Sequence, residues 1–325
     1  MKKCSKRIYL AVALLSVLVL FPLLISSADL QAQSFPAIYN QGVLNDIKNN
    51  PHGYPQLDAF FKKADGILAQ KPLSVIDKKK TFAPNKHFYC SISRYSWPDP
   101  NNPNGPYIIK DGVNNPEYAD YDGTALETLA ERLQYLCVAY YLTGRAAYRR
   151  AVSKQLNVWF LNKKTKMKPN FEYAQVQPGY NDNKGQSYGL AELSRFTKIV
   201  ESLMLFDYTQ GLSKKERRKL KVWFSDFQDW LLNSRQWHII SKANNNNITS
   251  SGYLALVEMS LFTGDTRVAS QLAGEYKERV IEKQIEDDGK QPAELKRADG
   301  FGYSVGNLEE IIDFCLVMEN MGSHF

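Results

Sequence analysis

The chain has 325 residues, and its 41 lysines and arginines outnumber its 34 aspartates and glutamates, which gives a formal charge of +7 at pH 7. A nucleic-acid-binding protein would need its cations in a concentrated stripe, and the one candidate, residues 214–221, reads as the solvated face of a helix. The four cysteines have no close spacing, so neither a disulfide framework nor a zinc site is indicated.

The first 33 residues are predicted to be a signal peptide. A basic start, an almost unbroken apolar run and small residues occupy positions 2–7, 8–25 and 26–32. An uncleaved membrane anchor is the alternative, because the apolar run is nearly long enough to span a bilayer. We expect a periplasmic or secreted mature chain, residues 34–325, without stable membrane insertion. Its charge of about +4, after loss of four cations and Asp29, suits an anionic ligand such as an acidic glycan.

The mature chain has the pattern of helical hairpins. Thr124 and Glu127 form a candidate capping box, and apolar residues then recur every three or four positions from Leu126 to Tyr140. The pattern stops at Thr143-Gly144, and another helix is predicted from about Arg145.

The same arrangement recurs about 120 residues downstream. A helix is predicted over 254–262, a break at Thr263-Gly264-Asp265, and a second helix over 268–281. Between the two hairpins, Ser213 and Glu216 form another candidate capping box. No run of several strands with alternating apolar residues is present, which disfavours a β-sandwich or β-helix.

These hairpins predict an all-α fold, a complete or incomplete α/α toroid with a cleft where its long loops gather. The loops are residues 78–122, 163–186 and 284–303, and loops of this length are usually functional or disordered. Their many aromatic residues argue against disorder.

The last of these loops carries a combination of residues with a clear chemical use. Arg297 and Tyr303 lie six positions apart, behind the asparagine run Asn244–Asn247. Amides and a guanidinium stabilise charge on a carboxylate, and a phenol transfers protons. Together they suit elimination across a uronic acid.

Three segments in order resemble the alginate lyase superfamily. They are SRYSWPDP (93–100) with its continuation to Glu117, YAQ (173–175) with PG (178–179), and ELKR (294–297) with FGYS (301–304) and NL (307–308). The agreement covers roughly residues 40–320. It implies an α/α toroid and a polysaccharide lyase acting on mannuronate or glucuronate chains.

By this resemblance, Asn246 or Asn247 and Arg297 neutralise the substrate carboxylate. Tyr303 is the candidate acid, and we hypothesise that it is also the base. An unperturbed tyrosine has a pKa near 10, and we expect the Arg297 cation to lower it. Family members usually carry an Asn-Asn-His-Gly block, whereas Ile248 or, with a one-residue shift, Asn247 occupies the histidine position here.

The missing histidine has a stereochemical consequence. One phenol can serve both proton transfers only when the C5–H and C4–O bonds lie on the same face of the sugar, as in mannuronate and glucuronate. The sequence therefore predicts syn elimination. The chain also stops where family members usually have further helices, so an incomplete toroid and a truncated gene product are both open.

Further side chains are candidates for substrate binding. Trp97, Tyr95 and Tyr180 offer rings for stacking on sugars, Gln175 offers an amide, and His87 lies at the start of the first motif. No metal-ligand cluster or phosphate-binding glycine loop is visible, so we expect no cofactor and no essential metal.

Two other functions stay open at this point. A catalytically impaired glycan-binding relative would fit the missing histidine and the short end. A toroidal glycoside hydrolase would use paired carboxylates, chosen from Asp120, Asp122, Glu127 and Glu192.

Overall fold

A computed structural model describes residues 35–243 and 246–322. The predicted signal peptide (residues 1–33) and Asn244 and Asn245 of the asparagine run lie outside the described residues. The described chain is mainly helical. Its longer helices are α1 Gln41–Asn49, α2 Leu57–Leu68, α3 Gly123–Thr143, α4 Ala146–Leu156, α5 Leu193–Tyr208, α6 Lys214–Asn233, α7 Arg235–Ala243, α8 Asn247–Thr263, α9 Thr266–Tyr276 and α10 Gly300–Asn320.

Short strands tie two of the long loops together. Strand β1 (Cys90–Ile92) pairs in parallel with β4 (Tyr173–Val176), so the first and second loops share one sheet. Strand β2 (Ser96–Trp97) pairs antiparallel with β3 (Ile108–Ile109) inside the first loop. These pairings order the aromatic-rich loops, as the sequence predicted.

Both predicted hairpins are confirmed. Gly144 ends α3 at φ +65°, and its N–H donates to the carbonyl of Tyr140 at 2.8 Å. Gly264 ends α8 in the same way at φ +92°. The left-handed conformation strains residues that have a Cβ, so glycine suits both turns.

The hairpins pack side by side into an α/α toroid. Helix α3 contacts α5, α5 contacts α8, and α8 contacts α10, while α4 and α9 pack outside their hairpin partners. The predicted all-α class and toroid architecture are therefore confirmed. Within the described part, no helix is both long and apolar enough to cross a membrane.

An aromatic cluster anchors the second long loop to the helices. Phe171 of this loop is fully buried, with its ring centroid 5.1 Å from that of Phe227 on α6 and 5.3 Å from that of Phe196 on α5. Burying one such ring contributes about 1.5–3 kcal/mol. The loop is thus packed into the core at its centre.

One of the two predicted capping boxes is absent. At Ser213 the box is formed: the serine hydroxyl accepts from the N–H of Glu216, and the Glu216 carboxylate accepts from the N–H of Ser213. Helix α3 instead begins at Gly123 with Asp122 as N-cap, and its side chain makes no capping bond. Glu127 is engaged elsewhere, in ion pairs with arginines.

The inner helices α3, α5, α8 and α10 run parallel. Arg195, near the start of α5, bonds Glu127, near the start of α3. Ser251, near the start of α8, donates to Glu310 in the middle of α10 at 2.5 Å. The N–H of Asn247, the first residue of α8, donates to Glu294 in the segment that leads into α10. Four helix N-termini therefore gather at one end of the toroid. Each carries partial positive charge, so this end favours anions.

Helix α10 presents an apolar row to solvent. Its members recur at three- and four-residue spacing, and their exposed fractions range from 39% to 80%. The opposite face buries Ile311, Phe314 and Val317 against the core. The exposed row comprises Phe301, Val305, Leu308, Ile312 and Leu316.

Candidate active site

Tyr303 lies in the first turn of α10, at the end of the toroid where the helix N-termini meet. The sequence placed it at the end of a loop, but α10 already begins at Gly300, because the Asp299 side chain caps it by accepting from the N–H of Gly302. The Tyr303 hydroxyl accepts from Arg297 Nη2 at 2.9 Å and lies 3.0 Å from the Tyr95 hydroxyl. Three predicted site residues thus share one hydrogen-bonded cluster.

Arg297 is fixed by an acidic residue that the sequence analysis did not single out. Asp111 accepts from Arg297 Nε at 3.1 Å and from Nη2 at 2.8 Å, and also from the N–H of Ala298 at 3.1 Å. The guanidinium carbon lies 3.9 Å from the centre of the Tyr303 ring. Arg297 is therefore oriented toward Tyr303, and a fixed carboxylate balances its charge.

The pKa of Tyr303 is raised to about 12, chiefly by burial and then by the hydrogen bond with Tyr95. The Arg297 cation opposes this shift, in the direction that we predicted. The prediction of a lowered pKa is nevertheless wrong, because desolvation of the phenolate outweighs the attraction of the neighbouring cation.

The N-terminus of α8 adjoins this cluster through Glu294. The N–H of Asn247 donates to Glu294 Oε1 at 2.6 Å, while the carbonyl of Glu294 accepts from the N–H of Arg297 at 2.9 Å. Asn246 is the N-cap of α8, and its side chain accepts from the N–H of Ile248 at 3.2 Å. Glu294 therefore contacts both Asn247 and Arg297, which brings the start of α8 close to Arg297 in space.

Ile248, one of the two residues expected from the sequence at the family's histidine position, is buried and offers no polar atom from its side chain. Close to it, the buried Oδ1 of Asn247 and Oε2 of Glu294 have no partner within the described part of the chain. Burial raises the pKa of Glu294. The α8 N-terminus therefore supplies amides and helix charge but no imidazole.

A second group of charged side chains joins α3 to α5. Glu127 Oε1 accepts from Arg94, from Arg195 at 3.0 Å, and from the Tyr118 hydroxyl at 3.3 Å. About a third of each of the three charged side chains is exposed. Arg94 directly precedes Tyr95, which places this group beside the Tyr303 cluster.

Gln175 has a strained backbone next to this group. Its φ is +49°, a conformation that costs most non-glycine residues about 1–2 kcal/mol. Its N–H donates to Ser91 Oγ at 2.8 Å, and the Ser91 hydroxyl donates to the buried Glu192 at 3.2 Å. The subsite role of Gln175 stays a prediction.

The remaining predicted binding residues lie on the loops outside the Tyr303 cluster. Trp97 donates from its indole to the carbonyl of Val113 at 2.8 Å, and Tyr180 is 46% exposed. His87 Nδ1 lies 2.8 Å from the carbonyl of Lys166 and so joins the first loop to the second. This contact gives His87 a structural role.

Two of the carboxylates considered for a hydrolase are held in ion pairs. Asp122 is buried, lies 2.8 Å from Lys78 Nζ, and accepts from the N–H of Cys90 at 2.9 Å. Asp120 pairs with Lys79 at 2.9 Å. Neither arrangement leaves the free acid and base that hydrolysis needs.

Several residues of the site were beyond sequence reasoning. Asp111 stands within the first family segment, so its position was a usable signal, whereas Arg195 and Glu310 belong to ordinary helical patterns.

Among the described residues, no group of three or more histidines, cysteines, aspartates or glutamates is placed to hold a metal ion.

Comparison with known proteins followed from this geometry. A family model described as alginate lyase matches residues 74–325. The chain is 33% identical to an alginate lyase from Bacteroides ovatus, with a TM-score of 0.84 over 88% of this chain and 77% of that chain. It also resembles a histidine-to-alanine variant of alginate lyase A1-III complexed with a tetrasaccharide. That likeness has 14% identity and a TM-score of 0.53, covers 78% of this chain and 64% of the other, and supports the fold alone. No curated protein sequence matches the chain.

Proposed function

The chain belongs to the alginate lyase family of polysaccharide lyases, and we propose that it cleaves an acidic, mannuronate- or glucuronate-type polymer by syn β-elimination. The observation that carries this proposal is the position of the Tyr303 hydroxyl, between Arg297 at 2.9 Å and Tyr95 at 3.0 Å. It lies at the end of the toroid where four helix N-termini favour an anionic substrate.

The first requirement of the reaction is to stabilise charge on the uronate carboxylate as the C5 proton leaves. We assign this role to the side-chain amides of Asn246 and Asn247, aided by the partial positive charge at the N-terminus of α8. Arg297 already pairs with Asp111, so we assign its main role to holding Tyr303 and stabilising the phenolate.

The second requirement is proton transfer at C5 and at the C4 oxygen. Neither Ile248 nor Asn247, the two candidates for the family's histidine position, can act as a base, so we assign both steps to Tyr303. As phenolate it takes the C5 proton, the C4–O bond breaks, and the phenol returns the proton to the departing oxygen. A single group acts on one face of the sugar, which requires syn elimination.

Defined oligouronates test this proposal. We expect the protein to produce the conjugated double bond of a lyase product, detected by ultraviolet absorbance, from mannuronate or glucuronate oligomers. Tyr303→Phe should lose about 10²–10⁴-fold in kcat, whereas Tyr208→Phe, at the C-terminal end of α5, should retain activity. Cleavage confined to guluronate would rule out the syn mechanism.

Glycan binding without cleavage is the second candidate function. The observation in its favour is the buried, apolar side chain of Ile248, which cannot act as a catalytic base. In that case mannuronate oligomers would bind with equal affinity to the unmodified protein and to Tyr303→Phe, and neither would form an unsaturated product. Calorimetry of both proteins with the same oligomers separates the two candidates.

A further inference from the structure

The carboxylate of Glu127 is bound by two arginines, Arg94 and Arg195, which we call the arginine pair. The reaction outlined above does not use these residues. Two guanidinium groups share the carboxylate of Glu127, and the buried Glu192 also interacts electrostatically with both arginines. In the Arg297–Asp111 pair, by contrast, the charges cancel. In this part of the site, the arginine pair is therefore the place where two guanidinium groups form ion pairs with one shared carboxylate.

The arginine pair is open to a ligand. The side chains of Arg94 and Arg195 are 36% and 32% exposed. A guanidinium has five N–H donors. Arg94 bonds Glu127 and Tyr118, and Arg195 bonds Glu127 and Ser194. Donors of both arginines therefore remain for an additional carboxylate.

Two further carboxyl groups, those of Glu192 and Glu310, lie near Arg195. Burial raises the pKa of Glu192, and it raises the pKa of Glu310 to about 7, although Arg195 opposes both shifts. Within the described part of the chain, neither group forms an ion pair with Arg195, whereas Glu127 does, so a substrate carboxylate would compete mainly with Glu127.

The position of the pair fits a sugar beside the one that reacts. Arg94 adjoins Tyr95, whose hydroxyl contacts that of Tyr303. Arg195 interacts with Glu310, which lies two helical turns beyond Tyr303 on the same face of α10. Seven helical residues correspond to on the order of 10 Å, so one oligosaccharide is long enough to contact both Tyr303 and the arginine pair.

We propose that Arg94 and Arg195 bind the carboxylate of a uronate adjacent to the cleaved bond, and that Glu127 keeps the two guanidinium groups together when the cleft is empty. This inference rests on the proposed function and narrows its substrate. A polymer with a carboxylate on successive sugars uses the pair, whereas one that alternates uronate with neutral sugars leaves it unpaired.

Charge variants with opposite expected effects test the proposal. Arg195→Gln and Arg94→Gln should each raise KM for a homopolymeric uronate by about 10-fold, the usual worth of one charge-assisted hydrogen bond, with kcat nearly unchanged. Glu127→Gln should lower KM by roughly 3-fold, because it removes a competing anion at a partly exposed site. Arg145→Gln, which breaks the Arg145–Asp65 pair at the far end of α3, is the matched control.

A merely structural role predicts a different pattern. All three site variants would then lower the melting temperature and kcat together, with no opposite sign for Glu127→Gln. That pattern, or an unchanged KM in both arginine variants, would overturn the proposal. So would equal loss of affinity for homopolymeric and alternating polymers in Arg195→Gln.

Binding measurements separate this inference from the proposed function. The affinity of homopolymeric oligouronates is measured calorimetrically in a Tyr303→Phe background, with and without Arg195→Gln. If binding depends on Arg195 but the unmodified protein does not cleave the oligomers, the arginine subsite is supported and the lyase mechanism is rejected. If the unmodified protein cleaves the oligomers and the KM does not depend on Arg94 or Arg195, the lyase mechanism is supported and the arginine subsite is rejected. If the protein neither binds nor cleaves them, both proposals are rejected.

Discussion

At the scale of single residues, Tyr303 shows how two opposing effects set the properties of one phenol. Arg297 favours the phenolate, but burial and Tyr95 favour the neutral form more strongly. The neutral phenol is the form that protonates a leaving oxygen, whereas the scarce phenolate is the form that abstracts a proton. The base form is therefore the limiting one at neutral pH.

This imbalance predicts an alkaline activity profile. Because the pKa of Tyr303 is about 12, the fraction of Tyr303 in the phenolate form increases as the pH is raised toward that value. We expect kcat/KM on a uronate oligomer to rise up to about tenfold per unit between roughly pH 7 and pH 9. Initial rates across this range measure the slope, and a flat or falling profile would contradict phenolate catalysis by Tyr303.

The strained backbone of Gln175 leads to a second residue-scale prediction. Gln175→Gly should leave the free energy of unfolding unchanged or raise it by up to about 1 kcal/mol, since glycine adopts φ +49° without strain. Activity should fall because the amide is lost. Chemical denaturation and rate measurements check both parts.

Gln175→Ala is the matched control for this change. Alanine removes the amide but keeps the strain, so this variant should lose activity without any gain in stability. If Gln175→Gly is markedly less stable than Gln175→Ala, the strained conformation is not the dominant cost at this position.

At the scale of elements, the two Ser/Thr-x-x-Glu motifs show where local sequence decides structure. Both have the pattern of a capping box, but only Ser213 and Glu216 form one. Glu127 is drawn away by Arg94 and Arg195, which come from distant parts of the chain. A contact across 68 residues cannot be read from a four-residue pattern.

The two motifs should therefore respond differently to the same kind of change. Ser213→Ala should lower the free energy of unfolding by about 1 kcal/mol, the usual cost of losing an N-cap. Thr124→Ala should change it by less than about 0.5 kcal/mol, as expected for an exposed residue outside such features. Urea denaturation of both variants measures the difference, and equal losses would mean that the Thr124 motif also caps its helix.

Local pattern predicted the helical hairpins well, because their apolar spacing and glycine turns are properties of short segments. Gly144 and Gly264 end their helices where the sequence placed the breaks. The site was only partly predictable. Arg297 and Tyr303 carry a motif, but the partner that fixes Arg297, Asp111, lies 186 residues away. Whether burial or the charge of Arg297 has the larger effect on the pKa of Tyr303 also depends on packing, which no short sequence pattern encodes.

At the scale of the whole molecule, several carboxyl groups are buried between the inner helices. Glu201 of α5 and Glu258 of α8 are both buried, and Glu201 also accepts from the N–H of Ile38 at 3.1 Å. Burial raises the pKa of Glu201 to about 7 and that of Glu258 well above its ordinary value. The fold therefore favours protonated carboxyl groups at these positions.

This preference sets the direction in which stability changes with pH. A carboxyl group whose pKa is raised in the folded state binds a proton more tightly there than in the unfolded chain. Its stabilising effect is complete below the ordinary pKa of about 4.5 and is lost as pH rises through about 7. We expect the free energy of unfolding to fall between pH 5 and pH 8, by on the order of 3 kcal/mol for one fully shifted group. Denaturation at a series of pH values measures it.

Glu258→Gln tests the assignment to this pair. Glutamine still offers a donor to Glu201 but cannot ionise, so the fall in stability with rising pH should become shallower. The exposed Glu286→Gln should leave the slope unchanged. A slope identical in the unmodified protein and in Glu258→Gln would place the pH dependence elsewhere in the molecule.

The apolar row on α10 affects how this protein behaves in a fluorescence cuvette. A contiguous strip of exposed rings and branched chains is a surface on which an amphiphilic reporter dye adsorbs. With Phe301 at 80% exposure and Ile312 at 50%, the folded protein should already give a bright signal with such a dye. Dye-monitored melting would then start from a high baseline and understate the transition, so intrinsic tryptophan emission or calorimetry is the sounder probe. Leu308→Glu, in the middle of the strip, should dim the initial signal while leaving the calorimetric transition in place.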